Sequence, residues 1–270
     1  DNAVVIGQNQ NTEAEVDQHF IREHGIRVVR RTTGGGAVYH DLGNLNYSFI
    51  ADAKDAGQLT MERFTLPVVD ALCDLGLDAE VSGRNDISIE GREVSGTAQR
   101  LAEGRVLHHG TLLFDSDPSM LAGALRVDPQ KFRTKRAKSV RSRVGNIHDF
   151  LLREGKDMTL SEFWNHLKKA LAGDGLVPDK LDTWELERVR HLKEERYDSW
   201  EWVYGRSPAY DLCNRRWWDG GELEVRASIK RGRVSDIRFF GDFLAVLPLT
   251  ALTEELIGCP YRREAFRRVL

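Results

Sequence analysis

The chain has 270 residues, of which 41% are hydrophobic, and its 39 Lys and Arg against 42 Asp and Glu give a formal net charge of −3. That near-neutral balance provides no global field to draw it to nucleic acid or to a membrane surface, and no apolar run approaches spanning length. Cys73, Cys213 and Cys259 are far apart and odd in number, which argues against a disulfide framework or zinc site and fits a reducing cytoplasm.

The opening DNAVVIGQNQ reads as a buried strand over 4–7 followed by a turn. Residues 12–24 predict a helix, with Thr12 as cap and Glu15 three residues on. A β-rich approach over 26–30 leads to three glycines. Strands are expected at 37–40 and 44–50, joined by the turn Asp41-Leu42-Gly43. Phe64, Val68 and Leu72 give 61–75 helical spacing, and Pro67 must kink that helix or mark its start. Residues 86–89 and 93–99 read as strands around the turn Glu90-Gly91-Arg92, and 109–115 as another.

After about residue 146 the texture changes. Thr159 and Glu162 form a capping box for a helix over 159–171, a Gly/Pro-rich break follows, and 181–197 reads as a highly charged helix. Trp184, Trp200, Trp202, Trp217 and Trp218 crowd this region and predict packing contacts, because each indole buries a large area. Leu223, Val225, Ala227 and Ile229 alternate along 222–229, and a turn at 230–233 into 234–240 completes a hairpin. Short amphipathic helices are expected at 249–257 and 262–269. The division is a first unit over 1–150 and a second over 151–270, comprising linker helices and a small α+β domain.

The stretch over 30–50, RRTTGGGAVYHDLGNLNYSFI, carries the most chemistry. Three consecutive glycines lose much backbone entropy on ordering and weaken any strand they interrupt; what they permit is close approach of a ligand or another backbone. Arg30 and Arg31 beside them make the natural ligand an anion, a phosphate or carboxylate held by forked guanidinium donors. From these residues alone, a plain glycine-rich hairpin is the alternative. No Gly-Lys-Ser/Thr follows the glycines, and no GxGxxG register is present, so neither a P-loop nor a dinucleotide site fits. In His108-His109, strand alternation sends the two rings to opposite faces, so they cannot chelate one ion. His109 is expected to face a pocket and His108 to pack elsewhere. Residues 133–143 (RTKRAKSVRSR) hold six cations and no acid, which alone would read as a solvated basic loop.

Four segments in order and spacing, 30–50, 82–100 (SGRNDISIEGREVSGTAQR), 106–113 (VLHHGTLL) and 138–146 (KSVRSRVGN), resemble lipoate-protein ligases of the biotin and lipoate ligase superfamily. VVIGQNQNTEAEV near the start and WEWVYGRSPAYD and GCPYRREAF in the last third are similar too, so the resemblance covers nearly the whole chain. It implies an α+β fold, with a mixed or antiparallel sheet flanked by helices in a catalytic domain and a small C-terminal α+β accessory domain. Relatives carry a further strand and helix upstream, which this sequence is expected to lack. The implied enzyme activates lipoate with ATP and Mg²⁺ to lipoyl-AMP, then passes the acyl group to a lysine of a carrier. The implied carriers are lipoyl domains of 2-oxoacid dehydrogenases and the glycine-cleavage carrier protein. The chain is expected to be a cytoplasmic monomer.

By the same resemblance, Arg31, Gly34, Gly35 and Gly36 contact nucleotide and acyl group, with Thr33, Ala37, Val38, Tyr39 and His40 beside them. Taken alone, a single histidine such as His40 is more often a structural donor than a ligand contact. Asn85 and Asp86 fall at the adenine- and metal-facing end, where Asp86 is a candidate metal ligand. Arg100 is expected on the acyl or phosphate side, His109 in the pocket, and Lys138 in a basic segment that closes on the nucleotide.

One position breaks the pattern. The family carries a lysine in K-(V/I/L)-(S/A)-G that bridges the acyl carboxylate and the α-phosphate; here the residues are Glu93-Val94-Ser95-Gly96. A unit charge pair at about 4 Å is worth roughly 1 kcal/mol in water and about 4 at an intermediate dielectric. Reversing the sign therefore costs on the order of 2–8 kcal/mol. Arg92 should point to the other face, and Lys135, Lys138 or Arg100 could replace the cation only with rearrangement. Three readings stand at this point. One is a lipoate or short-acyl ligase with weakened activation or a cation from elsewhere. Another is an acyl-adenylate-using transferase or a non-catalytic binder of lipoate or lipoyl domains. The third, a cysteine-dependent transferase, is disfavoured because the cysteine nearest Asn85 is Cys73, in an expected helix. Mg²⁺ ligation by Glu93 is a further alternative.

Overall fold

Apolar residues at every second position build the two sheets that frame the site. The computed structural model describes residues 2–53, 60–83, 86–126, 144–175, 177–205, 212–218, 221–243 and 248–269. Asn85, Lys138 and the basic stretch 133–143 lie outside these residues. In the smaller sheet, β1 (Ala3–Ile6) pairs parallel with β2 (Arg27–Arg30) and antiparallel with β3 (Val38–His40). Val4, Ile6 and Tyr39 enter a core closed by Val16 and Ile21 and by Leu121 and Ala124 of a later helix.

The expected helix over 12–24 is two short ones, α1 (Thr12–Glu15) and α2 (Gln18–Glu23). Val16 between them is extended, fully buried and bridged to Leu125, so a tertiary strand contact overrides helical spacing. Asn11, not Thr12, caps α1, and Asp17 caps α2. Thr12 is buried instead, its hydroxyl donating to the Val203 carbonyl.

The larger sheet is antiparallel, in the order β4-β8-β7-β6-β5. Its strands are β4 (Asn44–Asp52), β5 (Ala79–Ser82), β6 (Asp86–Ile89), β7 (Arg92–Ala102) and β8 (Arg105–Leu113). One face packs on α3 (Met61–Cys73) and, past α4 (Pro118–Ala124), on α5 (Ile147–Arg153) and α6 (Leu160–Ala172). Leu72, Ile87, Leu112, Ile147 and Phe163 meet there, and Pro67 lies inside α3. The other face carries Asn46, Ala98, His109 and Thr111 toward the smaller sheet.

The turn at residues 41–43 does not close a hairpin: β3 and β4 belong to different sheets. Gly43 explains the crossing, because a Cβ there would lie 1.9 Å from the Asp115 carbonyl oxygen. Asp41 fixes the turn by accepting from the N–H groups of Gly43 and Asp117 at 2.9 and 2.8 Å.

Beyond α6, whose Thr159–Glu162 capping box is present, come α7 (Thr183–Leu192), a π-helical turn (Lys193–Tyr197) and α8 (Trp200–Val203). Helix α7 buries no residue. The third sheet has β10 (Gly221–Lys230) between β9 (Leu212–Trp218) and β11 (Arg233–Phe240), with α9 (Thr250–Leu256) and α10 (Arg263–Val269) on one face. On the other face Arg215 bridges Glu222 and Glu224, and Arg226 also pairs with Glu224. The tryptophan expectation fails except at Trp202, which is 6% exposed; Trp184, Trp200, Trp217 and Trp218 are 46–70% exposed. The three cysteines are free, and among the described residues no helix is long and apolar enough to cross a membrane.

Candidate active site

Strand alternation separates the two adjacent arginines. Arg30 is 2% exposed and turns away from the glycines. Its guanidinium donates to the carbonyls of Gly7, Gln8, Gln10, Trp202 and Val203 and to the Thr12 hydroxyl, at 2.6–3.1 Å. The expected pairing of Arg30 with an anionic ligand is therefore corrected: it pins α8 to the turn after β1.

Arg31 turns the other way and lines a pocket. Its Nη2 donates to the carbonyls of Gly34 and Gly36, both at 2.7 Å, its Nη1 to Val5 at 3.1 Å, and its Nε to Thr33 Oγ1 at 3.1 Å. Burial lowers its pKa to about 10, so it stays charged at neutral pH. The glycines are needed for backbone contact here. A Cβ on Gly7 would sit 2.0 Å from the Gly35 carbonyl oxygen, and Gly35 itself has φ 90°. Gly36, by contrast, faces open space.

The pocket, of about 460 Å³, lies between the smaller and larger sheets and is lined by Arg31, Gly35, Gly36, Ala37, Val38 and His40 on one side. Asp86, Glu93, Gly96, Ala98, His109 and Thr111 line the other. His109 is tied across the gap, with its Nε2 2.6 Å from Thr33 Oγ1. Burial, then the positive charge of Arg31, pushes the pKa of both His40 and His109 down to about 4, so both rings are neutral at pH 7. His40 Nε2 is buried and has no hydrogen-bond partner among the described residues. His108 faces the core, stacked on Phe64 at 5.2 Å and paired with Gln99 at 2.9 Å.

Glu93 stands on β7, its carbonyl accepting from Gly145 N–H at 2.8 Å. Glu93 Oε1 and Asp86 Oδ1 lie 3.6 and 4.0 Å from the point that a Cβ on Gly96 would take. Among the described residues no group of three His, Cys, Asp or Glu is arranged to hold a metal ion by itself.

Four expected site residues lie off the pocket lining. Thr33 is buried behind it and acts through His109 and Arg31. Gly34 presents its carbonyl to Arg31. The Tyr39 ring is corrected to the core, 2% exposed beside Val4. Arg100 is exposed beyond Ala98, on the stretch of β7 that pairs with Leu107; the pocket ends before that register.

Asp242 was not anticipated. It follows β11, lines the pocket, and accepts from the Glu222 N–H. Gly241 before it donates to the Asn9 carbonyl at 2.9 Å, and a Cβ there would lie 2.0 Å from the Glu222 oxygen. The glycine at the end of β11 was the only sequence signal. Asn46 and Thr111 were legible in principle, since they pair directly across β4 and β8 on the His109 face.

Residues 1–172 match the lipoyl protein ligase A/B catalytic domain, and residues 207–270 the bacterial lipoate protein ligase C-terminus. The chain belongs to the lipoate-protein ligase family. It is 43% identical to lipoate-protein ligase LplJ of Bacillus subtilis, over 99% of this chain and 81% of that protein. It is 39% identical to lipoate–protein ligase 1 of Staphylococcus aureus, again over 99% and 81%. Among solved structures, the bipartite lipoate protein ligase of Thermoplasma acidophilum, described with its E2 lipoyl domain, aligns with TM-score 0.67 at 36% identity. That match covers 78% of this chain and 83% of the other. A lipoate-protein ligase A bound with ATP aligns with TM-score 0.65 at 32% identity, over 76% of this chain and 83% of the other. The family's α+β architecture is the one described above, and the family is one of ligase enzymes.

Proposed function

We propose that this chain attaches lipoate to a lysine of a lipoyl carrier domain in two steps: ATP-dependent formation of lipoyl-AMP, then acyl transfer. The observation that carries the reading is one pocket lined by the glycine loop, Arg31, His40, His109 and Glu93. In it, Arg31 shapes the loop, Gly36 leaves room for the acyl group, and the two neutral imidazoles offer hydrogen bonds without charge. Little acid–base help is needed in activation, because AMP is a good leaving group. The step needs two anions brought together, and Glu93 opposes that, so activation is the slower half-reaction.

Mg²⁺ is held in many nucleotide sites by one or two carboxylates plus substrate phosphates. Asp86 fits that donor set as the metal-facing residue, and the ion would neutralise phosphate charge. Asn85, Arg100 and Lys138 keep their proposed nucleotide or acyl roles, and for Arg100 that role requires the occupied site to extend along β7 past Ala98. The proposed acceptors are lipoyl domains of 2-oxoacid dehydrogenases and the glycine-cleavage carrier protein, with the chain a cytoplasmic monomer. Residues 1–150 are proposed as the catalytic unit, with α6 packed back on it, and 151–270 as linker and accessory domain.

The test supplies purified chain with apo-lipoyl domain and either lipoate, ATP and Mg²⁺ or preformed lipoyl-AMP, and reads lipoylation by intact mass. Modification from both sources supports the proposal. Modification from lipoyl-AMP alone would move activation outside this chain, and modification from neither would overturn the reading.

A further inference from the structure

His109 sits inside β8, paired with Ser48 of β4 on one side and Ala98 of β7 on the other, so the sheet fixes its backbone. Its Nε2 lies 2.6 Å from Thr33 Oγ1, and among the described residues the ring has no second hydrogen-bond partner. A neutral imidazole carries one N–H and one lone pair, and the bond made by one nitrogen decides what the other presents. The Thr33 hydroxyl makes that decision. Its oxygen already accepts from Arg31 Nε at 3.1 Å, and the residue is 1% exposed. Were the proton on His109 Nε2, this oxygen would accept twice, and its own buried hydrogen would have no acceptor among the described residues. An unpaired buried donor is costly; with the imidazole proton on Nδ1 the hydroxyl is satisfied. The bonds then run one way, from Arg31 Nε–H to Thr33 Oγ1 and from its O–H to His109 Nε2, each link polarising the next. The chain ends at Nδ1–H, on a ring that lines the pocket.

We propose that Thr33 is a positioning residue: it holds His109 as the Nδ1–H tautomer, so that the ring donates a hydrogen bond to an oxygen of the bound acyl-adenylate. The ligand rests on the ligase reading, and the tautomer rests on the hydrogen-bond geometry alone. The acyl-phosphate group of that ligand has only acceptor oxygens, so a ring that turned a lone pair toward it would repel it. Valine in place of Thr33 frees Nε2 to take the proton and leaves the lone pair on Nδ1.

The experiment reads the ring nitrogens by NMR in protein carrying nitrogen-labelled histidine, with His109→Phe identifying the signals. Affinities for lipoyl-AMP, lipoate and AMP are measured for the parent, Thr33→Ser and Thr33→Val. The parent and Thr33→Ser should carry the His109 proton on Nδ1, and Thr33→Val should move it to Nε2. Thr33→Val should bind lipoyl-AMP about tenfold more weakly, the effect of one lost hydrogen bond, and Thr33→Ser should recover most of that loss. The loss should not add to that of His109→Phe, because Thr33 acts through that ring. A loss shared with lipoate assigns the accepting oxygen to the acyl carboxyl, and one shared with AMP to the phosphate; either supports the proposal. A proton on Nε2 in the parent would overturn it whatever the variants do. So would an unaltered affinity in Thr33→Val, or an equal loss in Thr33→Ser; these results leave the ligase reading intact if the parent still lipoylates its acceptor. A parent with the proton on Nδ1 that binds no lipoyl-AMP would instead overturn the ligase reading, and the donor role with it.

Discussion

Arg31 shows how one residue can line a pocket and yet be spent on the protein itself. Three of its contacts are backbone carbonyls, and they fix the glycine loop that forms one wall. Lysine is a point charge with three donors and cannot span Val5, Gly34 and Gly36 together. Arg31→Lys should therefore lower folding stability by about 2–4 kcal/mol and weaken lipoate and lipoyl-AMP to similar degrees. Denaturant titration with calorimetric binding of both ligands checks this; loss confined to lipoyl-AMP would show a phosphate contact instead. The histidines give a second prediction. Burial holds His40, His108 and His109 at about 4, below the ordinary 6.5. As pH falls through 6.5 the unfolded chain takes up protons that the folded chain refuses, so stability declines from there until about pH 4. Urea midpoints at several pH values should show that decline, and His108→Phe should make it shallower. A flat profile between pH 7 and 5 would contradict the buried, neutral rings.

The elements most legible in the sequence were those whose pattern is strictly local. Leu223, Val225, Ala227 and Ile229 alternate, and β10 runs through them. Thr159 and Glu162 announced α6, and the turn at Glu90-Gly91 lies in left-handed backbone, with φ 52° and 71°. Illegible features depended on partners distant in sequence. Val16 keeps helical spacing but is drawn into a bridge with Leu125. Strand β8 starts at Arg105, ahead of the expected 109, because the turn at Glu103-Gly104 pairs it with β7 from its first residue. The glycine motif was read as a place of close approach, and the nearest backbone is the chain's own. Gly7→Ala should cost about 2–4 kcal/mol and displace Gly35, because its Cβ has no room beside the Gly35 carbonyl. Thermal unfolding and lipoyl-AMP affinity should fall together. An unchanged midpoint would mean that the two loops part without penalty.

At the scale of the molecule, the pocket is assembled from both halves of the chain. Arg30 fastens α8 beside β2, and the turn after β11 delivers Asp242 to the pocket lining. Gly241 is the single local mark of Asp242, whose place depends on how the third sheet meets the turn after β1 through Gly241 and Asn9. Asp242→Asn keeps an oxygen for the Glu222 N–H while removing a charge from an acidic pocket. It should leave the melting temperature nearly unchanged and tighten binding of the anionic lipoyl-AMP by about three- to tenfold, the range set by a screened charge pair. Weaker binding would assign Asp242 a direct polar contact with the adenylate. The central claim is that this pocket forms acyl-adenylate with an acid where the family places its bridging lysine. Lipoate-dependent exchange of labelled pyrophosphate into ATP, measured for the parent and Glu93→Lys, tests it most directly. Restoring the cation should raise exchange at least about tenfold, ~1.4 kcal/mol in the barrier. Fast exchange by the parent with no gain in Glu93→Lys would contradict it, because another cation would then already bridge the two anions.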